Sequence, residues 1–391
     1  MSQRTSRTMN LDHSGSTDDK RDRWSDWLQQ VCHECGVTVN GSSPTDPRIH
    51  HSGFARRLFT EGSLGLGEAY MDGWWDCEAL DDLATRALNS NIDRKIEKKA
   101  WLLLEIVKAR LFNFQKKSRA FQVGERHYDT GNDLFEVMLD PTMSYSCAYW
   151  KGAHNLHEAQ LNKLDLLCKK LRLEKGMRLL DIGSGWGGLA EHAARHHGVS
   201  VVGVTVSKEQ AALATERCRG LPIEFKLQDY RDLHGQFDRI VSVGMFEHVG
   251  FRNYDVYMKK CHSLLKENGY FVLHTIGTNR THDLVDPWIK KYIFPNGKLP
   301  SLNQISRAYE AWFVLEDLQN FGPDYDRTLM EWYRNFASGW GKIKHRYDQR
   351  FYRMWVYYLK VCAGSFRARQ NQLWQLVLSK PTASVRYDSP R

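Results

Sequence analysis

The sequence predicts an α/β protein in which helices cover a mainly parallel sheet, preceded by a smaller, mainly helical N-terminal domain. Its 391 residues exceed what one hydrophobic core usually organises, so we expect about two domains. From Gly176 onward, apolar runs alternate with helix-length polar and apolar segments, a pattern typical of βαβ units with parallel strands. Five such runs follow one another: MRLLDIG, VSVVGVTVS, IEFKLQDY, FDRIVSVGM and YFVLHTIG.

The N-terminal elements are predicted from the residue pattern in order along the chain. Residues 1–23 are polar and charged with almost no apolar side chains, so we predict a disordered tail. From Trp24, apolar residues recur at helical spacing up to Gly36, which predicts a short helix. The segment VTVNG then predicts a short strand and turn, and a mainly helical stretch follows. The expected domains are 24–120 and 121–391.

A basic segment closes the predicted N-terminal domain. Between Arg94 and Arg119 there are nine basic and two acidic residues, a net charge of +7, interleaved with apolar residues at helical spacing. A basic amphipathic helix of this kind suits an anionic membrane surface. The alternative is a solvated helix whose apolar stripe packs on its own domain, and both interpretations stay open. Nucleic acid is not expected as a partner, because the sequence carries no recognition signature for it.

The amino-acid composition limits the classes of protein to which this chain can belong. Apolar residues make up 42% and charged residues 26% of the chain, with a net charge of +9, as in a folded protein. The apolar runs are far shorter than the roughly 20 residues that cross a bilayer, and the polar N-terminus has no secretory h-region. We therefore expect a cytoplasmic protein with reduced cysteines. Cys32 and Cys35 form a CxxC pair without a second pair, so no metal site is expected.

The glycine loop in LLDIGSGWGG carries the cofactor prediction. It lies between a predicted strand and a predicted helix, where Gly183 permits a tight turn and Gly185 lets a ligand approach the backbone. The same string satisfies GxGxxG, which also suits a dinucleotide or a purely structural turn. Asp181, at the strand end, resembles motif I of S-adenosylmethionine-dependent methyltransferases and disfavours a pyrophosphate.

Polar residues at the following strand ends extend the predicted cofactor site. The second strand ends without the acid that a dinucleotide enzyme uses for a ribose hydroxyl, so Thr205 and Gln210 would have to take that role. Gln228, Asp229 and Tyr230 follow the third strand and are candidates to face an adenine, although an ordinary polar loop is the alternative for each.

Two further strands end in titratable residues. Glu247 and His248 follow the fourth strand, and we favour Glu247 for chemistry on the resemblance described below. His274 closes the fifth strand. A histidine in a strand is more often a core residue whose hydrogen bonds are made within the protein. Its predicted position at the carboxyl end of the strand, where ligands bind, favours a functional role.

Several stretches together resemble the family of bacterial cyclopropane-fatty-acyl-phospholipid synthases. The likeness runs in order from about Trp24 to Trp374, whereas the shorter mycolic acid cyclopropane synthases match only the catalytic part. The resemblance implies a Rossmann-like class I methyltransferase sheet and transfer of a methylene group from S-adenosylmethionine to the cis double bond of a phospholipid acyl chain. The stretches that carry it include EGSLGLGEAYMDGWW, HYDTGNDLF, YSCAYW, LLDIGSGWGG, DRIVSVGMFEHVG, DPWIKKYIFPNGKLPS and CAGSFRARQNQLWQ.

The resemblance also assigns residue roles. It places the cofactor against the loop that includes Ser184, Trp186 and Gly187, where family members often have cysteine in place of Ser184. It places Tyr145 and Ser146 at the methionine end of the cofactor. Cys147 lies at the active centre, and Cys362 occupies a position treated as the catalytic cysteine, for which we favour a packed structural thiol.

A bound bicarbonate is the predicted general base. The resemblance suggests this ion, and Glu247, His274 and Tyr325, with backbone groups of Cys147 and Ile276, are predicted to hold it. A weak base is enough, because the methyl group next to a carbocation is strongly acidic, and a carboxylate side chain would risk alkylation. We also expect a homodimer attached peripherally to the inner face of the cell membrane.

The chemistry depends on positioning, since an alkene is a weak nucleophile. Aromatic faces can stabilise the carbocation that methyl transfer leaves. Three alternatives remain: simple methylation of the chain, methylation of a small molecule on oxygen or nitrogen, and a lipid-binding protein without catalysis. The aromatic candidates are Tyr145, Tyr149, Trp150, Trp288 and Tyr325.

Overall fold

A computed structural model describes residues 18–90, 131–281, 285–295, 297–384 and 386–391. Residues 1–17 of the predicted tail, the basic segment 94–119 and the domain boundary expected at 120 lie outside the described residues. None of the helices within the described ranges is long and apolar enough to cross a membrane.

The N-terminal part is mainly helical, as predicted. Its first helix begins at Asp18, so residues 18–23 of the predicted tail are helical, and it ends just before Gly36. The second helix is kinked at Gly62, where φ is 62°. The elements are α1 (Asp18–Glu34), β1 (Arg48–Ile49), α2 (Phe54–Met71), β2 (Trp75–Asp76) and α3 (Leu80–Asn89).

The strand predicted in VTVNG is wrong, because this segment is a loop. Asn40 has a φ of 56°, a left-handed conformation that a strand does not allow. The carboxylate of Asp46 accepts hydrogen bonds from the backbone N–H groups of Thr38 and Ser43, which gives the local backbone a partner other than a strand. The two-residue strands β1 and β2 pair instead, in antiparallel orientation.

A seven-stranded sheet organises the rest of the chain and confirms the predicted fold class. Its strand order is β5-β4-β3-β6-β7-β9-β8, in which β3 to β7 run parallel and β9 is antiparallel to both neighbours. The five predicted apolar runs form the five parallel strands. The strands are β3 (Arg178–Ile182), β4 (Ser200–Thr205), β5 (Ile223–Leu227), β6 (Phe237–Val243), β7 (Leu265–Thr278), β8 (Val314–Asn320) and β9 (Asn371–Ser379).

Helices cover both faces of this sheet. Side chains of β3 alternate between the faces: Leu180 belongs to an apolar cluster shared with α8 and α10, and Leu179 to one shared with α5 and α6. The helices are α4 (Asn132–Met138), α5 (Leu156–Lys170), α6 (Gly188–His197), α7 (Lys208–Arg217), α8 (Tyr254–Leu264), α9 (Pro287–Tyr292), α10 (Leu302–Tyr309), α11 (Gly322–Ile343) and α12 (Gln349–Arg367).

The N-terminal helices share a hydrophobic core with α11 and α12. At the contact of α3 with α12, a Cβ on Gly364 would lie 2.5 Å from the backbone oxygen of Asp81, so the two backbones approach closely. Arg353 of α12 also donates to the backbone oxygens of Tyr70 and Trp75. This packing joins the N-terminal helices to the C-terminal part of the chain, and the proposed division at residue 120 stays a prediction.

Candidate active site

The glycine loop leaves β3 in the conformation that its sequence predicts. Gly183, Gly185 and Gly187 have φ values of 88°, 52° and 84°, all in the left-handed region that favours glycine. A Cβ on Gly187 would lie 2.8 Å from Phe225, whereas one on Gly185 would meet nothing within 4 Å. Gly187 is therefore required by packing, and Gly185 faces open space at the carboxyl edge of the sheet.

Two buried polar groups beside this loop lack partners. Asp181 is 1% exposed, and neither its Oδ2 atom nor the Oγ atom of Ser184 has a hydrogen-bond partner among the described residues. Burial raises the pKa of Asp181 to about 7, and the ammonium of Lys163 opposes that rise. Unpartnered buried groups next to an open glycine fit a polar, positively charged cofactor.

The remaining predicted cofactor residues already have interactions inside the protein. Thr205 donates to Gln210 Oε1 at 2.9 Å at the end of β4, and Gln228 donates to the backbone oxygen of Asp232. Asp229 pairs with Arg231 at 2.7 Å, which lowers the pKa of its carboxyl. These residues and Tyr230 lie at the ends of the parallel strands β4 and β5, at the same edge as the glycine loop.

Trp186 of the loop is buried and packs inside the protein. Its indole N–H donates to Asn132 Oδ1 at 3.0 Å, and its ring lies 4.8 Å from that of Phe135. The indole therefore ties the glycine loop to α4, and its predicted role in cofactor binding stays a prediction.

Glu247 lies on a single helical turn directly after β6 and is buried. Its Oε1 atom accepts a 2.6 Å hydrogen bond from the backbone N–H of Ile276, while Oε2 has no partner in the described part of the chain. Burial raises the pKa of Glu247 to about 7. The carboxyl group is thus fixed by one oxygen and presents the other for an interaction at the end of β7.

The prediction that His274 closes its strand is wrong, because β7 continues to Thr278 through its pairing with β9. His274 is buried inside β7, level with Val243 at the end of β6 and beside its register partner in β9, Gln375. The Nε2 amide of Gln375 lies 3.1 Å from His274 Nδ1. Because an amide nitrogen can only donate, Nδ1 accepts and the ring proton lies on Nε2. Burial holds the imidazole pKa well below its usual value, and Nε2 has no partner within the described ranges. His274 is therefore a neutral imidazole with an unused donor.

Tyr325 of α11 lies among the other predicted catalytic residues. Its ring stacks on Phe366 at 4.6 Å. Burial raises the phenol pKa well above its usual value, and Cys147, Tyr145, Glu247 and Cys362 are close enough to raise it further. The structure thus brings Tyr325, Cys147 and Glu247 into one neighbourhood.

Neither predicted cysteine has the environment of a nucleophile. Cys147 is fully buried and its thiol donates to the backbone oxygen of Ala148. Burial raises its pKa well above the usual value, and it raises the pKa of Cys362 to about 12. Reactive cysteines instead have lowered pKa values. This supports the structural role that we favour for Cys362.

The predicted aromatic residues differ in what their rings contact. The hydroxyl of Tyr145 bonds to that of Tyr358 at 2.8 Å, close to Trp332. Trp288 is fully buried against the N-terminal helices, and the guanidinium of Arg327 lies 3.9 Å from the ring of Trp150. The guanidinium over Trp150 and the packing of Trp288 disfavour a cation-stabilising role for these two rings, and that role stays a prediction.

Several site residues were missed by the sequence analysis. Lys163 and Gln160 of α5 hold the Ser146 segment: Lys163 Nζ donates to Ser146 Oγ at 3.1 Å, and Gln160 donates to the backbone oxygen of Ser146. Thr328 accepts from the backbone of Ala148 and from the indole of Trp150. The signal for Lys163 was its place four residues after Ala159 and four before Leu167, both on the buried face of α5.

One group of possible metal ligands occurs among the described residues. Ligand atoms of Cys168, His192 and His197 lie within 4.8 Å of one another on α5 and α6. The cluster is separate from the CxxC pair, of which Cys32 lies on α1 and Cys35 directly after it. The predicted lack of a metal site stays a prediction.

The mainly parallel sheet, its glycine loop and the polar groups at its carboxyl edge define a class I S-adenosylmethionine-dependent methyltransferase. A model of the family described as mycolic acid cyclopropane synthetase matches residues 115–376. The chain belongs to this family, which confirms the resemblance found in the sequence.

Relatives of known name and structure agree with this membership. The chain is 55% identical over 359 residues to cyclopropane-fatty-acyl-phospholipid synthase of Escherichia coli strain K12, covering 92% of this chain and 94% of the relative. It is 33% identical to tuberculostearic acid methyltransferase UfaA1 of Mycobacterium tuberculosis, covering 89% and 87%. A solved mycolic acid cyclopropane synthase in complex with SAH and CTAB is 33% identical, with a TM-score of 0.62, covering 67% and 98%.

Proposed function

We propose that this enzyme transfers a methylene group from S-adenosylmethionine to the cis double bond of unsaturated phospholipid acyl chains and closes a cyclopropane ring. The observation that carries the proposal is that Glu247 and Tyr325, both buried, lie in one neighbourhood with Cys147 and Tyr145. The 55% identical relative, named for the same reaction, supports it.

The cofactor fits the groups that lack partners. S-adenosylmethionine supplies an electrophilic methyl group on a positively charged sulfur. The open space at Gly185 leaves room for it, and the buried carboxyl of Asp181 is available for its positive charge. Backbone N–H groups at the start of α6 are further donors at this edge.

Positioning and exclusion of water account for the first step. The alkene attacks the methyl carbon with its π electrons, which breaks the bond from that carbon to sulfur and leaves a carbocation on the acyl chain. The ring of Trp332 contacts those of Tyr145 and Tyr325, so the three side chains form one aromatic group in the proposed active site. Their faces can stabilise the cation, and their apolar surroundings keep out water that would capture it.

The residues predicted to hold bicarbonate offer donors that suit a small anion. His274 Nε2 is an unused donor, and Glu247, with a pKa near neutrality, can donate through Oε2 in its protonated form. Bicarbonate bound here would supply the base that takes a proton from the transferred methyl group. In this structure the N–H of Ile276 donates to Glu247, so Ile276 orients the carboxyl group.

Product analysis tests the proposed function. Purified protein is incubated with labelled S-adenosylmethionine and vesicles of cis-unsaturated phospholipid, and the acyl chains are analysed by mass. A gain of CH₂ without a hydroxyl supports ring formation, and a fully saturated phospholipid is the control. Transfer to a soluble acceptor but not to lipid would contradict the proposal, as would failure to bind S-adenosylmethionine in calorimetry.

A methyl-branched product is the second candidate outcome. The 33% identical relative that is named a tuberculostearic acid methyltransferase favours its inclusion. Capture of the same carbocation by water adds a hydroxyl and releases a proton. Transfer of a hydride from an external donor gives a methyl-branched chain two hydrogens heavier than the ring product, so the mass of the acyl chain separates both outcomes from a ring.

Attachment to the cytoplasmic face of the membrane is proposed through the basic segment 94–119. Its net charge of +7 is complementary to anionic lipid, and each Lys or Arg near such a surface contributes about 1 kcal/mol. Neutralising Lys98, Lys99, Lys116 and Lys117 is expected to weaken sedimentation with anionic vesicles, as is added salt.

A matched variant controls for total charge in this experiment. Binding is expected to persist when the exposed residues Lys151, Lys175, Lys208 and Lys259 are neutralised instead. Equal loss in both variants, or binding that ignores salt, would contradict the assignment. The expected homodimer stays a prediction that light scattering of the purified protein would check.

A further inference from the structure

Lys163 places a charge inside the catalytic part of the protein. It lies on α5 and is 3% exposed. The ammonium donates to Ser146 Oγ at 3.1 Å, in the segment that also contains Tyr145 and Cys147. Among the described residues, no carboxylate is in hydrogen-bond contact with this ammonium. A buried charge without such a contact is costly, so its presence at this position calls for an explanation.

Two strands packed against α5 carry a titratable side chain on the face of the sheet that α5 covers. Asp181 follows Leu179 by two residues in β3, and His274 follows Val272 by two in β7, so both share the face whose apolar cluster includes residues of α5. The electrostatic interaction between Lys163 and Asp181 shifts the pKa of both groups, and Lys163 lowers the pKa of His274. The titratable groups around Lys163 are Asp140 after α4, Cys147 in the loop before α5, Cys168 on α5, Asp181 on β3, His192 on α6 and His274 on β7.

Two of these groups are carboxyls, and they differ in their partners. Asp140 accepts hydrogen bonds from Thr142 and pairs with His157 at 3.0 Å. Asp181 Oδ2 has no partner in the described residues, and Lys163 is the cation that lowers its pKa. Lys163 therefore balances the carboxyl of Asp181.

We propose that Lys163 is a positioning residue for methyl transfer, which keeps Asp181 ionised for the cofactor and holds the segment Tyr145 to Cys147 through Ser146. The inference deepens the proposed function, because it assumes that S-adenosylmethionine binds at this edge. It depends neither on the lipid acceptor nor on bicarbonate.

The energetic reason is the interaction of the buried ammonium with the buried carboxyl. Burial raises the pKa of Asp181 to about 7, and Lys163 is the charge that opposes this rise. Burial lowers the pKa of Lys163 to about 8, a shift that Asp140, Cys147 and Asp181 oppose. Without the ammonium, the carboxyl pKa rises further and the group becomes neutral at physiological pH. A neutral Asp181 no longer attracts the positive charges of the cofactor.

The test is the pH dependence of S-adenosylmethionine binding, measured by calorimetry from about pH 6 to about pH 9. The wild type is expected to lose affinity as the pH falls and Asp181 takes up a proton. In Lys163→Met, the midpoint of the pH-dependent loss of affinity is expected to move up by at least one pH unit. At a pH where Asp181 is protonated in the variant but ionised in the wild type, this corresponds to about tenfold weaker binding. In Asp181→Asn the pH dependence carried by this carboxyl is expected to disappear.

Two further variants separate electrostatics from packing. Ser146→Ala removes the hydrogen bond but leaves the ammonium, so kcat is expected to fall while the binding midpoint stays. Lys163→Arg keeps the charge and is expected to restore the midpoint, and it also serves if Lys163→Met does not fold. In the double variant of Lys163→Met and Asp181→Asn, affinity is expected to equal that of Asp181→Asn alone.

A purely structural role for Lys163 gives different results. The inference would be overturned by any one of three results. These are a binding midpoint in folded Lys163→Met equal to that of the wild type, a shifted midpoint in Lys163→Arg, and additive losses of affinity in the double variant. Absence of S-adenosylmethionine binding by the wild type would instead count against the proposed function.

Discussion

Replacement of Glu247 by Gln is expected to reduce kcat by about two to four orders of magnitude, the range for loss of acid–base assistance. The amide keeps the shape of the side chain, and its oxygen can still accept from the N–H of Ile276. It cannot take up or release a proton, so the anion that His274 and Glu247 are proposed to hold loses a titrating partner. Cofactor affinity is expected to stay unchanged, since Asp181 and the glycine loop are untouched.

Bicarbonate dependence is the specific measurement for this variant. Depletion of bicarbonate is expected to slow the wild type more than Glu247→Gln, because the variant no longer uses the ion fully. Glu224→Gln, an exposed change on β5, is the control and is expected to behave as wild type. Equal bicarbonate dependence in wild type and Glu247→Gln, or full activity of that variant, would contradict the assignment.

The same variant is expected to be more stable than the wild type at alkaline pH. The pKa of Glu247 is raised to about 7 in the folded protein and is about 4.3 in an unfolded chain. The folded state therefore binds the proton more tightly, and stability is lost as the pH rises above the unfolded value. Urea unfolding is expected to show a difference between variant and wild type that is larger at about pH 8 than at about pH 4.

Replacement of Gly185 by Val is expected to abolish cofactor binding while the fold is retained. A Cβ at this position meets no protein atom within 4 Å, so the branched side chain occupies the open space that a ligand needs. The φ of 52° is also unfavourable for a β-branched residue, at about 1 to 3 kcal/mol. Calorimetry with S-adenosylmethionine measures the loss, and circular dichroism checks the fold.

Gly176→Val is the matched control for backbone strain. Gly176 also has a left-handed φ, 88°, and open space around its Cβ position, but it lies in the turn before β3, at the opposite end of that strand. It is expected to lose stability without losing cofactor affinity. Unchanged affinity in a folded Gly185→Val protein would move the cofactor site elsewhere.

The parallel strand β5 lies at the edge of the sheet and has no buried residue. The other four parallel strands, β3, β4, β6 and β7, could be predicted because they are buried on both faces. Such strands are continuous apolar runs, as in LLDI and VVGV, and glycines mark their ends. β8 was not predicted, because this edge strand buries only part of its length and its sequence VLEDLQN shows weak alternation. The pairing of β7 with β9 joins segments about a hundred residues apart, which local pattern does not reveal.

Some residues of the candidate site could also be predicted from the sequence, and others could not. Asp181 and His274 were predicted from their places at the ends of predicted strands, and Glu247 from its place after β6 together with the family resemblance. In the structure β7 continues beyond His274, which pairs with Val243 at the end of β6. Lys163 was missed because a lysine in a helix is usually solvated, and only packing against β3 shows that it is buried. The contacts of Trp150 with Arg327 and of Trp288 with Met71 involve other elements of the chain, which sequence spacing does not indicate.

The proposed reaction requires that methyl transfer to the alkene be followed by loss of one proton from the transferred group. This proton can be followed by incubating the protein with trideuteromethyl S-adenosylmethionine and vesicles of cis-unsaturated phospholipid. Ring closure predicts an acyl chain that gains CD₂, with the third deuteron released to the medium. An acyl chain that retains all three deuterons, with a hydroxyl or with added hydrogen, would contradict ring closure.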